Sequence, residues 1–222
     1  MIREGKSITP YPKDLIKRRV YTRAGFVLLV FLSAVSLLWL PDKRDTNLLA
    51  DNVVFKDGDV IFIRTRTWRS LLVRFLENPR GFSHVGIIRI VGETPFVVHA
   101  TPNAKTVQAE RAEDFLSHRK ADMAGVYRLK DESKGAGTGE VASKKAWAYF
   151  KDNTPFDHTF DILKHDALYC TQLVWAAYKY AGVDFGEDEP DFLYDSVFYG
   201  KVLLPERLKR SKQLAEVKMT AP

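Results

Sequence analysis

Cys170 is the single cysteine of the chain. It stands where a strand-like run, Ala167-Leu168-Tyr169, gives way to apolar residues at helical spacing from Thr171 to Tyr178. A thiol at a helix N-terminus faces the positive end of the helix dipole and backbone N–H groups with no intrahelical partner. Both favour the thiolate, so the expectation is a lowered thiol pKa and a nucleophile. The alternative is a small buried apolar residue. Two histidines bear on the choice, because His84 and His99 interrupt the apolar runs 82–88 and 96–100. Burying an imidazole costs free energy unless it finds a partner, so each is either a hydrogen-bonded core residue or part of a site. A thiol hydrolase needs a base within reach of the sulfur and a third polar group to hold that base, and these residue types meet the requirement. His118, His158 and His165 stand in polar, loop-like contexts and read as solvated surface. The histidines and acids show no zinc-type spacing, so neither metal nor cofactor is expected.

The elements that would position these groups follow from apolar patterning. Asp57-Gly58-Asp59 is a turn feeding a strand at Val60–Arg64. Residues 68–76 carry helical spacing, ended by Pro79 and Gly81. Val85–Val91 and Phe96–Ala100 are strands joined through Gly92-Glu93-Thr94-Pro95, a connection short enough for a hairpin, which would bring His84 and His99 onto neighbouring strands. A short helix at Glu110–Ser117, a strand at Met123–Leu129 and a flexible glycine-rich loop at 131–139 come next. Helices follow at Val141–Phe150 and from Cys170 to Ala181, the second stopped by Gly182. Grouped strands flanked by helices, without strict alternation, predict an α+β fold with a mainly antiparallel sheet.

The N-terminal region differs from the rest. Residues 24–40, AGFVLLVFLSAVSLLWL, form an uncharged run of 17 residues, at the short end for crossing a bilayer. Seven basic and two acidic residues precede it, which accounts for +5 of the formal +6 and leaves the remainder nearly neutral. The positive-inside rule then keeps residues 1–23 in the cytoplasm; a cleaved signal peptide is the competing reading, but no convincing small-x-small cleavage site follows the apolar core before Pro41. The expected organisation is a basic cytoplasmic segment at 1–23, a transmembrane anchor at 24–40, a linker at 41–52, a catalytic domain at 53–214 and a tail at 215–222. The basic residues would meet anionic lipid, and no basic face remains for nucleic acid. One cysteine permits no internal disulfide, and a domain of about 170 residues can bury an adequate core without one. The sequence leaves the oligomeric state open.

The set Gly58-Asp59-Val60-Ile61-Phe62, Ser83-His84-Val85-Gly86-Ile87, Val97-Val98-His99-Ala100, Pro155-Phe156-Asp157 and Tyr169-Cys170-Thr171-Gln172-Leu173-Val174-Trp175 resembles the permuted papain-like cysteine hydrolases of the YiiX/YaeF amidase type. These stand with the NlpC-like peptidases and the lecithin:retinol acyltransferase-like enzymes. The resemblance runs over 53–214, and Pro205-Glu206-Arg207-Leu208 is similar to the Pro-acid-x-Leu that closes such domains. Histidine precedes cysteine in the chain, which is the permuted order. The resemblance implies a permuted papain-like, NlpC-like fold with Cys170 as nucleophile, His84 as general base and His99 as the third polar group. Many YiiX-type members carry glutamate at that third position and the acyltransferase branch carries histidine. A neutral His99 can orient His84, but it supplies no negative charge to an imidazolium. Tyr169 precedes the nucleophile, and either its hydroxyl or the Cys170 backbone N–H would help to bind an oxyanion.

The expected function is therefore a membrane-anchored cysteine amidase or peptidase acting on cell-envelope, peptidoglycan-type substrates through an acyl-enzyme, with its catalytic domain outside the cytoplasm. A lipid-directed thioesterase, phospholipase or acyltransferase is the alternative, with Phe192, Tyr194, Phe198 and Tyr199 as an acyl groove. A non-catalytic binding module is the third reading.

Overall fold

In the computed structural model, residues 53–65, 80–118, 121–130, 137–185 and 202–217 are described. The expected anchor at 24–40, the linker at 41–52, the helix at 68–76 and the aromatic groove at 192–199 lie outside them. Among the described residues, no helix is long and apolar enough to cross a membrane.

Among the described residues, six strands form one antiparallel sheet: β1 (Val60–Thr65), β2 (His84–Val91), β3 (Thr94–His99), β4 (Gln108–Arg111), β5 (Ala121–Leu129) and β6 (Leu214–Glu216). Their spatial order is β4-β3-β2-β1-β5-β6, so the first strand is central. Both faces of β1 are covered. Val60 and Phe62 join one apolar cluster, Ile61 and Ile63 the other, which explains a continuous apolar run where a half-exposed strand would alternate. Helices α2 (Thr138–Lys151) and α3 (Cys170–Tyr180) pack against each other and against β2 on the first face. There Ala142, Ala146, Leu173, Val174 and Ala177 meet Val85, Ile87 and Val98. The second face is closed by α1 (Ala112–His118), whose Phe115 packs with Ile61, Ile63, Ile88 and Val97. The short helix α4 (Pro205–Lys209), with proline in its first turn, leads into β6.

The expected α+β class and antiparallel sheet are present, and so is the β2–β3 hairpin, which turns through Gly92 and Glu93. Three local expectations need correction. The helix placed at Glu110–Ser117 begins only at Ala112, because Gln108–Arg111 pairs with β3 as an edge strand. Four residues facing a partly exposed edge carry too little periodicity to be read as a strand. Helix α2 starts at Thr138, before the expected Val141, with Gly137 in the left-handed region just ahead of it. Gly139 belongs to that first turn. A methyl group on Gly58 would stand 2.3 Å from Gly139 Cα, so two glycines are what lets the helix dock on the turn before β1. Ala167-Leu168-Tyr169 is no strand: Leu168 makes one isolated bridge, to Phe156.

Candidate active site

The histidines are placed by β2 and β3. The ladder pairs Ile87 with Val98, so Gly86 falls opposite His99. His84, Gly86 and His99 thus share the face covered by α1. An added Cβ on Gly86 would lie 2.4 Å from Val97 Cγ1 and 3.2 Å from His99 Cβ, so glycine at this strand position is what admits the His99 ring. His84 Nε2 and His99 Nδ1 are 3.1 Å apart, with their rings nearly perpendicular. Phe115 of α1 stacks on His84 at 5.8 Å and tilts against His99 at 5.0 Å. His99 is fully buried and His84 partly so.

His99 Nε2 lies 3.1 Å from Glu110 Oε1. Glu110 pairs across the ladder with Val97, two residues before His99, which puts the carboxylate on the histidine face. The apolar spacing of the sequence places Glu110 in a helix and so gives no hint of this contact. The available signal was the strand pattern of 96–99 followed by a second short segment that could return alongside it.

Cys170 is the first residue of α3, and Tyr169 before it is extended. What stops the helix from starting earlier is a loop organised by two buried polar side chains. Asp157, fully buried, accepts the N–H groups of Thr159 and Asp161 and the Thr159 hydroxyl, and pairs with Lys164 at 3.6 Å. Gln172 accepts the Tyr169 N–H and donates to the carbonyls of Asp161, Ile162 and Lys164, joining that loop to the first turn of α3.

The β2–β3 ladder stops at Ile87, so the Val85 amide is left for another acceptor, and that acceptor is the Cys170 sulfur. The thiol therefore adjoins the backbone one residue from His84. Burial pushes the Cys170 thiol up to about 11, outweighing the amides of Thr171, Val85 and Cys170 itself and the Thr171 hydroxyl, all of which favour the thiolate. The expected lowering does not hold, because desolvation of the charged form exceeds the stabilisation from the helix start. At neutral pH the resting group is a thiol.

Tyr169 is buried, and its hydroxyl accepts the Leu203 N–H at 2.8 Å while Thr171 donates to the Leu203 carbonyl. Burial drives its pKa upward. The tyrosine hydroxyl expected as an oxyanion or substrate contact accepts this bond and so helps to hold the segment ahead of α4. His158 and His165 are exposed, in keeping with a surface reading. Among the described residues, no group of three His, Cys, Asp or Glu is arranged to hold a metal.

The chain is similar in structure to the crystal structure of the metalloprotein yiiX from Escherichia coli, with a TM-score of 0.59 and 21% identity, over 75% of this chain and 98% of that one. At that identity the likeness establishes the fold. No curated protein matches the chain. The family model of the permuted papain-like amidase enzymes, YaeF/YiiX, matches residues 54–218. Three quarters of the chain, including every residue of the site, thus falls within one family, and the protein is a cysteine hydrolase belonging to the permuted papain-like amidases of the YaeF/YiiX type.

Proposed function

We propose that this hydrolase is anchored in a membrane by residues 24–40 and cleaves amide bonds in cell-envelope, peptidoglycan-type material, with Cys170 as nucleophile, His84 as base and His99 as the group that orients it. The observations that carry the reading are the contact of the Cys170 sulfur with the amide of Val85, the residue that follows His84 in the chain, and the 3.1 Å contact between the His84 and His99 rings. Because the resting group is a thiol, His84 takes its proton as sulfur attacks the carbonyl carbon and the carbonyl electron pair moves to oxygen. The oxyanion falls to the N–H groups that open α3, which have no intrahelical partner, or to the Tyr169 hydroxyl, whose bond from Leu203 occupies an acceptor site and not its proton. Collapse of the tetrahedral species breaks the C–N bond, and the proton on His84 passes to the leaving nitrogen. Water, deprotonated by His84, then cleaves the thioester and returns the thiol. The nearly neutral body suits a polymeric wall substrate better than a charged one.

A second reading, a lipid-directed thioesterase or acyltransferase, is favoured by the histidine at position 99 and by the apolar run near a membrane. Turnover of muropeptides, acyl thioesters and phospholipids measured in parallel with the purified full chain separates the two. Cleavage of muropeptides supports the amidase, and cleavage of lipid substrates alone overturns it. Reporters active only inside or only outside the cytoplasm, fused after Pro222, test the topology: activity of the outside reporter is expected, and activity of the inside reporter refutes it.

A further inference from the structure

We propose that Glu110 is a positioning residue: its carboxylate sets the position of the proton on His99 and, through His99, on His84, leaving the His84 Nδ1 lone pair to receive the thiol proton. The inference rests on the reading of Cys170 and His84 given above only for its effect on turnover; the proton positions stand independently of it.

Two contacts carry it in series. An ionised carboxylate only accepts, so at 3.1 Å from Glu110 Oε1 the proton of His99 lies on Nε2. A neutral imidazole protonated there has Nδ1 as its acceptor, and His99 Nδ1 faces His84 Nε2 at 3.1 Å. His84 must then donate from Nε2, and its Nδ1 is the basic nitrogen. Burial keeps the chain of contacts in order, since His99 is fully buried and Phe115 lies against both rings. The carboxylate also supplies the negative charge that a histidine in the third position lacks, one ring further from the thiol. A thiol that is protonated at rest makes a correctly placed lone pair on its base indispensable.

The test is long-range 1H–15N correlation NMR of the imidazoles, on 15N-labelled full chain at a pH where both are neutral. Wild-type protein should show His84 and His99 both protonated on Nε2. In Glu110→Gln the side-chain amide can donate to His99 Nε2, so protonation on Nδ1 should rise in both rings, and turnover should fall about tenfold or more. The wild-type spectrum decides the matter even if the variant does not fold: a His84 protonated on Nδ1 overturns the proposal. So do unchanged proton positions in Glu110→Gln, or a shift of them without loss of turnover. The same spectra from Cys170→Ala protein keep the question separate from the identity of the nucleophile.

Discussion

Glu206 in α4 accepts the backbone N–H of Phe82 at 2.9 Å, across 124 residues of sequence. The carboxylate is nearly buried and pairs with Lys209, whose ammonium lies over the Phe82 ring. Phe82 is two residues before His84, and Ser83 between them accepts the Thr65 N–H at 3.1 Å. The Pro205-Glu206-Arg207-Leu208 motif near the C-terminus thus fixes the approach to the strand that carries His84, and Tyr169 secures the segment leading to that motif through Leu203.

Replacing Glu206 with alanine should leave the buried Phe82 amide without its acceptor and cost about 1–3 kcal/mol of stability. Glu206→Gln keeps an acceptor oxygen and should lose less. Denaturant midpoints of the three proteins check the order, and an alanine variant as stable as wild type would show that the clamp carries no weight.

Gly86→Ala should damage activity more than stability. The added methyl group would press on Val97 and on the His99 Cβ, costing about 1–3 kcal/mol through overpacking and displacing the ring that holds His84. The expected pattern is a folded protein with a lower kcat and a nearly unchanged KM. Wild-type kcat in that variant would mean that His99 needs no such room.

The partly buried thiol should respond to pH in a definite direction. With its folded-state pKa near 11 and an unfolded value of about 8.5, native Cys170 keeps its proton across an interval in which the unfolded chain loses it. The unfolded state then binds fewer protons, so this residue's contribution to stability is complete below about pH 8.5 and declines as pH rises toward 11. Cys170→Ala should show a shallower alkaline loss of stability than wild type. Iodoacetamide should label native Cys170 more slowly at pH 8 than the denatured chain, and faster labelling of the native protein would restore the helix-start thiolate.

What the sequence revealed depended on range. Cys170 at a helix start, the hairpin that brings His84 beside His99, and the buried β1 were all legible, because each is written in a contiguous pattern of apolar and polar residues. Glu110 was hidden because its role depends on a four-residue edge strand whose pairing with β3 is set by tertiary contact. The direction of the Cys170 shift was hidden for a related reason: local geometry announces the helix dipole, while burial is contributed by distant segments. Glu206 could be matched to a motif, but its partner 124 residues earlier could not be inferred from it. Gly86 and Gly139 read as ordinary glycines until their neighbours across the fold are known.

The nucleophile is the centre of this mechanism, and intact-mass spectrometry during turnover of the amide substrate identified by profiling tests it most directly. Wild-type protein should accumulate an acyl adduct that peptide mapping places on Cys170. His84→Ala should form it far more slowly, and Cys170→Ala should form none and lose at least about a thousandfold in turnover. Undiminished cleavage by Cys170→Ala, or an adduct mapped to any other residue, would contradict the thiol mechanism.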